Sequence, residues 1–361
     1  MSKKRKVAIL YGGRSVEHGV SVNSARNIFE YIDKMQFEPL TIGISKSGQW
    51  FLTSGVTKDI EQGKALGLIL DAQSPGFMLL SSGDRIKTDI IFPVLHGTDG
   101  EDGSIQGLIK AMDIPMVGTG VLGSSMSMNK IVAKQILKQA GIPVTKFMTF
   151  HHSQKDSITL AMISNVVGLP FMVKSSSLGS SVGVSKVKDE ESLRTAVEEA
   201  FRYDDFLIAE EFIKGREIEC AILGNDPAES SYPGEIVISS KYEFYTFDAK
   251  YVDPEAVKID VPARLSEAEA ERIRQASVQA YEALYCEDFA RVDLFLTADG
   301  RIFVNEINTI PGFTNSSMFP MMWKERGIDF SDLITRLLDL ATGRYNRGKR
   351  IQRDFNSALK F

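Results

Sequence analysis

Cysteine is scarce in this chain: 361 residues carry only Cys220 and Cys286. Two thiols build no disulfide framework, so the fold must rest on packed cores, and a reducing compartment suits it. An excess of positive charge is missing too. The net charge of −5 excludes a protein whose main business is non-specific nucleic-acid binding. Long apolar runs are absent, and none approaches the roughly 20 residues of a bilayer-spanning helix. The start, Lys3-Lys4-Arg5-Lys6, resembles the head of a signal peptide, yet the apolar run behind it ends at Gly12, too soon for one. We therefore expect a cytoplasmic protein with neither membrane nor nucleic acid as partner. Repeats and low-complexity tracts are lacking as well. What remains, 43% apolar and 25% charged residues, is a globular composition with length enough for two or three domains.

The first third alternates strands and helices. Val7 to Tyr11 reads as a buried strand, Val22, Ala25, Phe29 and Ile32 recur at helical spacing, and Leu40 to Ile44 forms the next strand. Ile90 to Leu95 is a further strand, followed by a helix over Ser104 to Met112. This order predicts a parallel, Rossmann-like sheet with ligands at the carboxyl ends of its strands. Residues 52–88 are weakly patterned and rich in Gly and Ser. Beyond Met126 the spacing predicts helices over Asn129 to Ala140 and Asp189 to Phe201, with strands at Phe171 to Lys174 and Leu207 to Phe212. Asp226 to Glu255 holds little pattern beyond Glu235 to Ser239, and its length suggests a functional loop over a site. Ser266-Glu267-Ala268-Glu269 is a capping box opening a helix to about Leu284. The basic residues after Gly343 (Arg344, Arg347, Lys349, Arg350, Arg353) read as a solvated end.

Two stretches raise questions of chemistry. VAILYGGRSVEHGVS (Val7 to Ser21) is a strand, a glycine turn and a helix start, the place where a nucleotide fold holds phosphate. It lacks G-x-G-x-x-G, however, and a dinucleotide loop explains nothing downstream. ARVDLFLTADGRIFVNEINTIPGFT (Ala290 to Thr314) is more informative. Asp299-Gly300 is a strong signal for a two-residue hairpin turn. Centred there, the register sets Asp293 opposite Glu306 and Arg291 opposite Asn308, all four side chains on one face. Val292, Leu294, Val304 and Ile307 make the other face apolar. Opposed carboxylates repel by roughly 0.2–1 kcal/mol, so a compensating cation is expected. Two carboxylates and an amide oxygen suit Mg²⁺ with phosphate oxygens in its shell. The bland alternative, a solvated face of an edge hairpin, is weaker because the Asp-Glu-Asn set is so well matched. Ile310-Pro311-Gly312-Phe313 then breaks the strand, and Gly312 lets backbone approach a ligand.

VKSSSLGSSVGVSKV, AEEFIKGREIECAILG, ARVDLFL and VNEINTIPGFTNSS, preceded by GGRSVEHGVS and LHGTDGEDGSIQG, together resemble the D-alanine–D-alanine ligases of the ATP-grasp superfamily. The resemblance runs from about residue 5 to 342. It implies an α/β and α+β fold. An N-terminal Rossmann-like, pre-ATP-grasp substrate domain (residues 1–122) would be followed by a two-part ATP-grasp fold. The central subdomain would span 123–214 and the C-terminal one, with the metal site and basic tail, 215–361. The implied activity is ATP-dependent joining of two D-alanines through an acyl phosphate, for peptidoglycan precursors, by a homodimer.

The same resemblance assigns roles. Lys130, Lys174 and Ser181 would hold ATP phosphates, Glu210 the adenine amino group and Glu217 the ribose. Asp293, Glu306 and Asn308 would bind two Mg²⁺, for which Mn²⁺ can substitute. Glu17, backed by Ser180 and Tyr251, would face the ammonium of the first D-alanine, with His96 also on the substrate side. Arg291 and the Gly312 N–H would stabilise the oxyanion. Lys250 and Ser317 would hold the second carboxylate. Tyr251 favours D-alanine over D-lactate as second substrate, and D-lactate or D-serine ligation is the alternative. A more remote one is a regulator that binds ATP without turnover. The chain departs from the family pattern at Gly19, Asn129 and Ser175, where glutamate, aspartate and proline are usual.

Overall fold

A computed structural model describes residues 3–179, 183–239, 241–242, 253 and 256–352. Its first sheet has seven strands: β1 (Arg5–Gly12), β2 (Phe37–Ile44), β3 (Trp50–Thr53), β4 (Lys64–Ile69), β5 (Gly76–Leu79), β6 (Arg85–Ile86) and β7 (Ile90–Pro93), ordered β6-β5-β4-β3-β2-β1-β7. Only β2, β1 and β7 run parallel. The rest form an antiparallel meander through the stretch that seemed unpatterned. Its strands are short and largely half-exposed, so neither an alternating nor a continuous apolar signal builds up. β1, by contrast, is covered on both faces: Val7, Ala8, Ile9, Leu10 and Tyr11 are fully buried, as a central parallel strand requires. Helices α1 (His18–Tyr31) and α2 (Ser104–Met112) flank this frame.

Helices α3 (Val121–Met128) and α4 (Lys130–Gln139) follow. Asn129 caps α4, its side chain accepting the Val132 N–H at 3.0 Å. A second sheet, ordered β10-β9-β11-β8, contains β8 (Phe147–His151), β9 (Phe171–Ser175), β10 (Val184–Val187) and β11 (Phe206–Glu211). Helices α5 (Leu160–Val167) and α6 (Glu190–Ala200) accompany it. This layer has its own core of Phe150, Ile163, Phe171, Leu193, Leu207 and neighbours.

The third sheet runs β15-β14-β12-β16-β17, with β13 paired to β12. Its members are β12 (Gly215–Leu223), β13 (Glu229–Ser230), β14 (Gly234–Ile238), β15 (Val257–Asp260), β16 (Phe289–Thr297) and β17 (Ile302–Asn308). Helix α7 (Glu267–Ala283) opens with the expected capping box: Ser266 Oγ accepts the Glu269 N–H at 3.3 Å, and Glu269 Oε2 accepts the Ser266 N–H at 2.9 Å. Such a cap is worth about 1 kcal/mol. Helices α8 (Met318–Glu325) and α9 (Phe330–Gly348) close the described chain. One hydrophobic core joins the first and third sheets through these helices, uniting Val7, Ile28, Phe92 and Val117 with Phe289, Phe313, Trp323 and Leu337.

Arg344 departs from the solvated end that was expected. It lies inside α9, donates to the Met116 and Gly118 carbonyls at 2.7 Å each, and meets Asp288 at 2.9 Å. Asp288 is fully buried, and that burial raises its pKa to about 6 against the pull of Arg344. Among the described residues, no helix is long and apolar enough to cross a membrane.

Candidate active site

The β16–β17 hairpin carries the site, and its register holds a correction. Arg291 pairs with Asn308 and Asp293 with Glu306, as expected. The turn, however, is one residue longer than two. Thr297 and Arg301 close it (Thr297 N–H to Arg301 O, 3.0 Å), with Gly300 at φ +79°. Leu294 therefore pairs with Val304, and the offset is absorbed between Asp293 and Leu294 by a bulge that leaves Asn305 as the extra residue. The two deviations cancel. A trace of this lay in the sequence: Val304 and Ile307, three apart, share a face only across such a bulge.

Neighbouring β12 extends the acidic row. Glu219 lies opposite Asp293 in the β12–β16 ladder, so Glu219, Asp293 and Glu306 stand side by side across three strands. Glu219 is 4% exposed. It shares a face with Glu217, two residues earlier, which was the available signal for it. Arg291 answers this charge. Its Nε and second terminal nitrogen reach the two Asp293 oxygens at 2.7 Å each, and its Nε is 3.0 Å from Glu219. The Lys130 ammonium stands 3.9 Å from Glu306. Cationic groups thus stand in at both clamp carboxylates, showing that the row accepts positive charge. The described residues gather no cluster of three His, Cys, Asp or Glu arranged for a metal; the expected set has two carboxylates and an amide. An all-oxygen set of this kind fits a hard divalent cation.

These residues border a cavity of ≈ 410 Å³ between the second and third sheets. Lys130, Lys174, Glu210, Glu217, Asp293 and Glu306 all line it, and its size suits a nucleotide-sized ligand. Lys130 is held by its α4 position, with its ammonium donating to Leu178 O at 2.6 Å. Lys174, on β9, pairs with Glu210 and lies 3.4 Å from Asn305 Oδ1. Glu210 is the larger surprise. It is 2% exposed and shared between Lys174 and Lys134, whose ammonium is 2.9 Å away. Thr145 donates to the same carboxylate at 2.8 Å. Burial alone would raise the Glu210 pKa, but the two ammonium charges outweigh it and hold it well below the usual range. Burial lowers Lys134; at Lys174 burial pulls the same way, but the charge and hydrogen bond of Glu210, joined by the charges of Glu306 and Glu217, together outweigh it and raise the pKa. The Glu210 carboxylate is thus engaged by ammonium groups here, where an adenine contact was expected.

On the far side, the Ile310–Phe313 turn is fixed by the N-terminal domain. His96 Nδ1 donates to Ile310 O at 2.8 Å, and Ser24 Oγ lies 3.1 Å from His96 Nε2. A carbonyl can only accept, so in the neutral ring Nε2 accepts from Ser24. Burial lowers the His96 pKa more than the nearby Glu17 charge raises it. Glu101, 8% exposed, accepts Gly97 N–H at 2.6 Å and Ile310 N–H at 3.2 Å. Ile310 N–H also lies 3.1 Å from Asn308 Oδ1, and Phe313 N–H donates to Ser24 at 3.3 Å. Phe313 packs its ring against Phe92, Phe289, Phe319 and Phe330 at 5.2–6.0 Å. Gly312 therefore sits between two anchored residues, and a Cβ on it would lie 3.2 Å from Ser317 Oγ. Glu17 approaches from the start of α1. A Cβ on Gly97 would fall 2.6 Å from its Oε2, and one on Gly179 would fall 3.2 Å away. Gly97 also has φ +75°, so only glycine serves there. His18 is turned aside, with its Nδ1 2.7 Å from Gly13 O.

Comparison with known proteins gives the family. The family model described as D-ala D-ala ligase N-terminus matches residues 6–119, and D-ala D-ala ligase C-terminus matches 136–339. The chain belongs to the D-alanine–D-alanine ligase family. A curated D-alanine–D-alanine ligase of Shouchella clausii is 43% identical over 98% of both chains. D-alanine–D-alanine ligase A of Escherichia coli is 43% identical over 95% of this chain and 97% of its own. Among solved structures, the D-alanine–D-alanine ligase of Coxiella burnetii superimposes with TM-score 0.86 at 35% identity, covering 97% of each chain. VanG D-Ala:D-Ser ligase of Enterococcus faecalis gives 0.85 at 36% identity, covering 94% of this chain and 100% of its own.

The departures from the family pattern have local explanations. Gly19 sits where an added Cβ meets nothing within 4 Å, and nothing in the structure calls for glycine there. Asn129 donates to Ser177 Oγ at 3.1 Å besides capping α4. Ser175 donates its hydroxyl to Ala200 O at 2.9 Å. Ser180, Ser181, Lys250 and Tyr251 lie outside the described residues; of the expected loop over the site, residues 240, 243–252 and 254–255 lie outside them too, and its described part contains β13 and β14.

Proposed function

We propose that this protein joins two D-alanines at the expense of ATP, giving D-alanyl-D-alanine, ADP and phosphate. The observation that carries this reading is the meeting, on one cavity, of Lys130 from α4 and Lys174 from β9 with the Asp293–Glu306 clamp of the third sheet. Lys130 and Lys174 would bind phosphate oxygens, Glu217 the ribose, and the main chain from Glu211 to Lys214, which also borders the cavity, the adenine edge. Asp293, Glu306 and Asn308 would hold two Mg²⁺ or Mn²⁺, which supply neutralisation of phosphate charge when bound.

The first D-alanine would lie between Glu17, at its ammonium, and Arg291. Its carboxylate oxygen attacks the γ-phosphorus, the β–γ bridging P–O bond breaks, and ADP leaves an acyl phosphate. Such transfer needs positioning and charge more than covalent help. The neutral amine of the second D-alanine, its carboxylate on Ser317 and Lys250, then attacks the acyl carbon. Negative charge gathers on the carbonyl oxygen, where Arg291 and the Gly312 N–H stabilise it; one such donor is worth about 2.7–4 kcal/mol. Phosphate departs and the nitrogen loses its proton. Both His96 nitrogens are engaged within the protein, so we assign it to holding the turn. Ser180 and Tyr251 would back Glu17, and Ser181 would meet phosphate. A cytoplasmic homodimer is the expected form.

The test is phosphate release. D-alanine alone should drive ATP-dependent release with formation of the dipeptide. Release only when D-lactate or D-serine is added would replace the second substrate, an outcome that the VanG neighbour makes worth measuring. ATP binding with no release in any mixture would overturn ligation itself.

A further inference from the structure

One buried charge stands behind the cavity wall and not on it. Lys134 lies on α4 one turn beyond Lys130, its side chain 2% exposed. It does not border the cavity, yet its ammonium is 2.9 Å from Glu210 and 3.0 Å from Thr145 Oγ1. Thr145 completes the triangle by donating to the same Glu210 oxygen at 2.8 Å. The other Glu210 oxygen pairs with Lys174, which does border the cavity.

The arithmetic of charge explains why a second lysine is needed. Lys174 and Glu210 alone make a neutral pair, and a phosphate approaching Lys174 would meet the carboxylate just behind it. With Lys134 the group carries one net positive charge. Screening by water is weak at such buried sites, so the difference is felt at the cavity. Thr145 and Lys134 also fix the orientation of Glu210, and hence of the Lys174 stem. We propose that Lys134 is a positioning residue acting through Glu210: it neutralises that carboxylate so that Lys174 presents a full charge to a nucleotide phosphate. The inference rests on the phosphate role proposed for Lys174.

The experiment measures equilibrium binding of ATP, without D-alanine, alongside adenosine followed by NMR titration. Affinity for ATP should follow the net charge of the group. Lys134→Met (zero) should bind ATP about tenfold more weakly than wild type. Lys134→Met combined with Glu210→Gln (plus one) should return to within about threefold of wild type, and Glu210→Gln alone (plus two) should bind at least as tightly as wild type. Adenosine, which carries no phosphate, should change less than about twofold throughout. The order survives loss of Lys134→Met to misfolding, because Lys134→Arg, which keeps the charge, must then match wild type while Glu210→Gln does not weaken ATP binding. Weakening of ATP and adenosine by equal factors, or a double variant as weak as Lys134→Met, would overturn the proposal. Lys174→Met separates the two ideas: unchanged ATP affinity there sinks the phosphate reading itself, whereas weakened binding alongside a failed charge order sinks only the role of Lys134.

Discussion

Glu101→Gln tests the junction between the two halves of the site. The Glu101 carboxyl is pushed up to about 8, first by burial and next by the charge of Glu17, despite N–H groups from Gly97 and Ile310. Its ordinary value is 4.5. Because the folded value lies above the unfolded one, the folded state holds the proton more tightly. That contribution to stability is complete below about pH 4.5, declines as pH rises, and is gone above about pH 8. Between pH 6 and pH 8 the loss from this one group is roughly 2 kcal/mol. Glutamine keeps the size and has no proton to lose. Scanning calorimetry of the ligand-free protein at pH 6, 7 and 8 should therefore show the wild-type midpoint falling several degrees further than the variant's. Parallel slopes would refute the argument, since they would mean that Glu101 ionises as readily folded as unfolded.

Other expectations follow from single contacts. Glu306→Gln should abolish dipeptide formation while far-UV circular dichroism stays unchanged, because a ligand charge goes without a change of shape; near-normal kcat at ordinary Mg²⁺ would contradict the clamp. Asn129→Asp keeps the cap, and the serine hydroxyls can reverse to donate, so the ATP KM should stay within about threefold, whereas Asn129→Ala should lose about 1 kcal/mol of stability in denaturant titration. Burial pushes Cys220 to about 11 and Cys286 to about 12, so neither should react with iodoacetamide at pH 8 until the protein unfolds, as mass spectrometry would show.

Much of the site was legible because strand alternation is a short-range rule. The Arg291–Asn308 and Asp293–Glu306 pairings followed from it, and so did the common face of those four residues. The turn length did not, since Asp-Gly suits a two-residue turn and the longer one with Gly300 in the left-handed region equally well. The bulge rescued the register for a reason that the reading had not supplied. Motif resemblance assigned Glu210 to adenine but gave no sign that its carboxylate also pairs with Lys134 and Lys174; ion pairing between elements 76 residues apart (134 to 210) leaves no local pattern. The same holds for His96 and Glu101, which grip Ile310 more than 200 residues away. The antiparallel meander was missed because two- to six-residue strands on a half-exposed edge carry too few apolar positions to show a period.

The distribution of the hydrophobic cores bears on how the enzyme opens. The first and third sheets share a single interior and are stitched again by Arg344, Glu101 and His96, so these two parts cannot separate without tearing the Ile310–Phe313 turn apart. The second sheet has a core of its own and, among the described residues, reaches the third across the cavity at Lys174, 3.4 Å from Asn305 Oδ1. On the function proposed above, admission of ATP and release of ADP would fall to that layer, moving over a base that stays whole. The residues proposed for the first D-alanine and the oxyanion, Glu17, Arg291 and Gly312, belong to the base, so their geometry would persist through every cycle of opening.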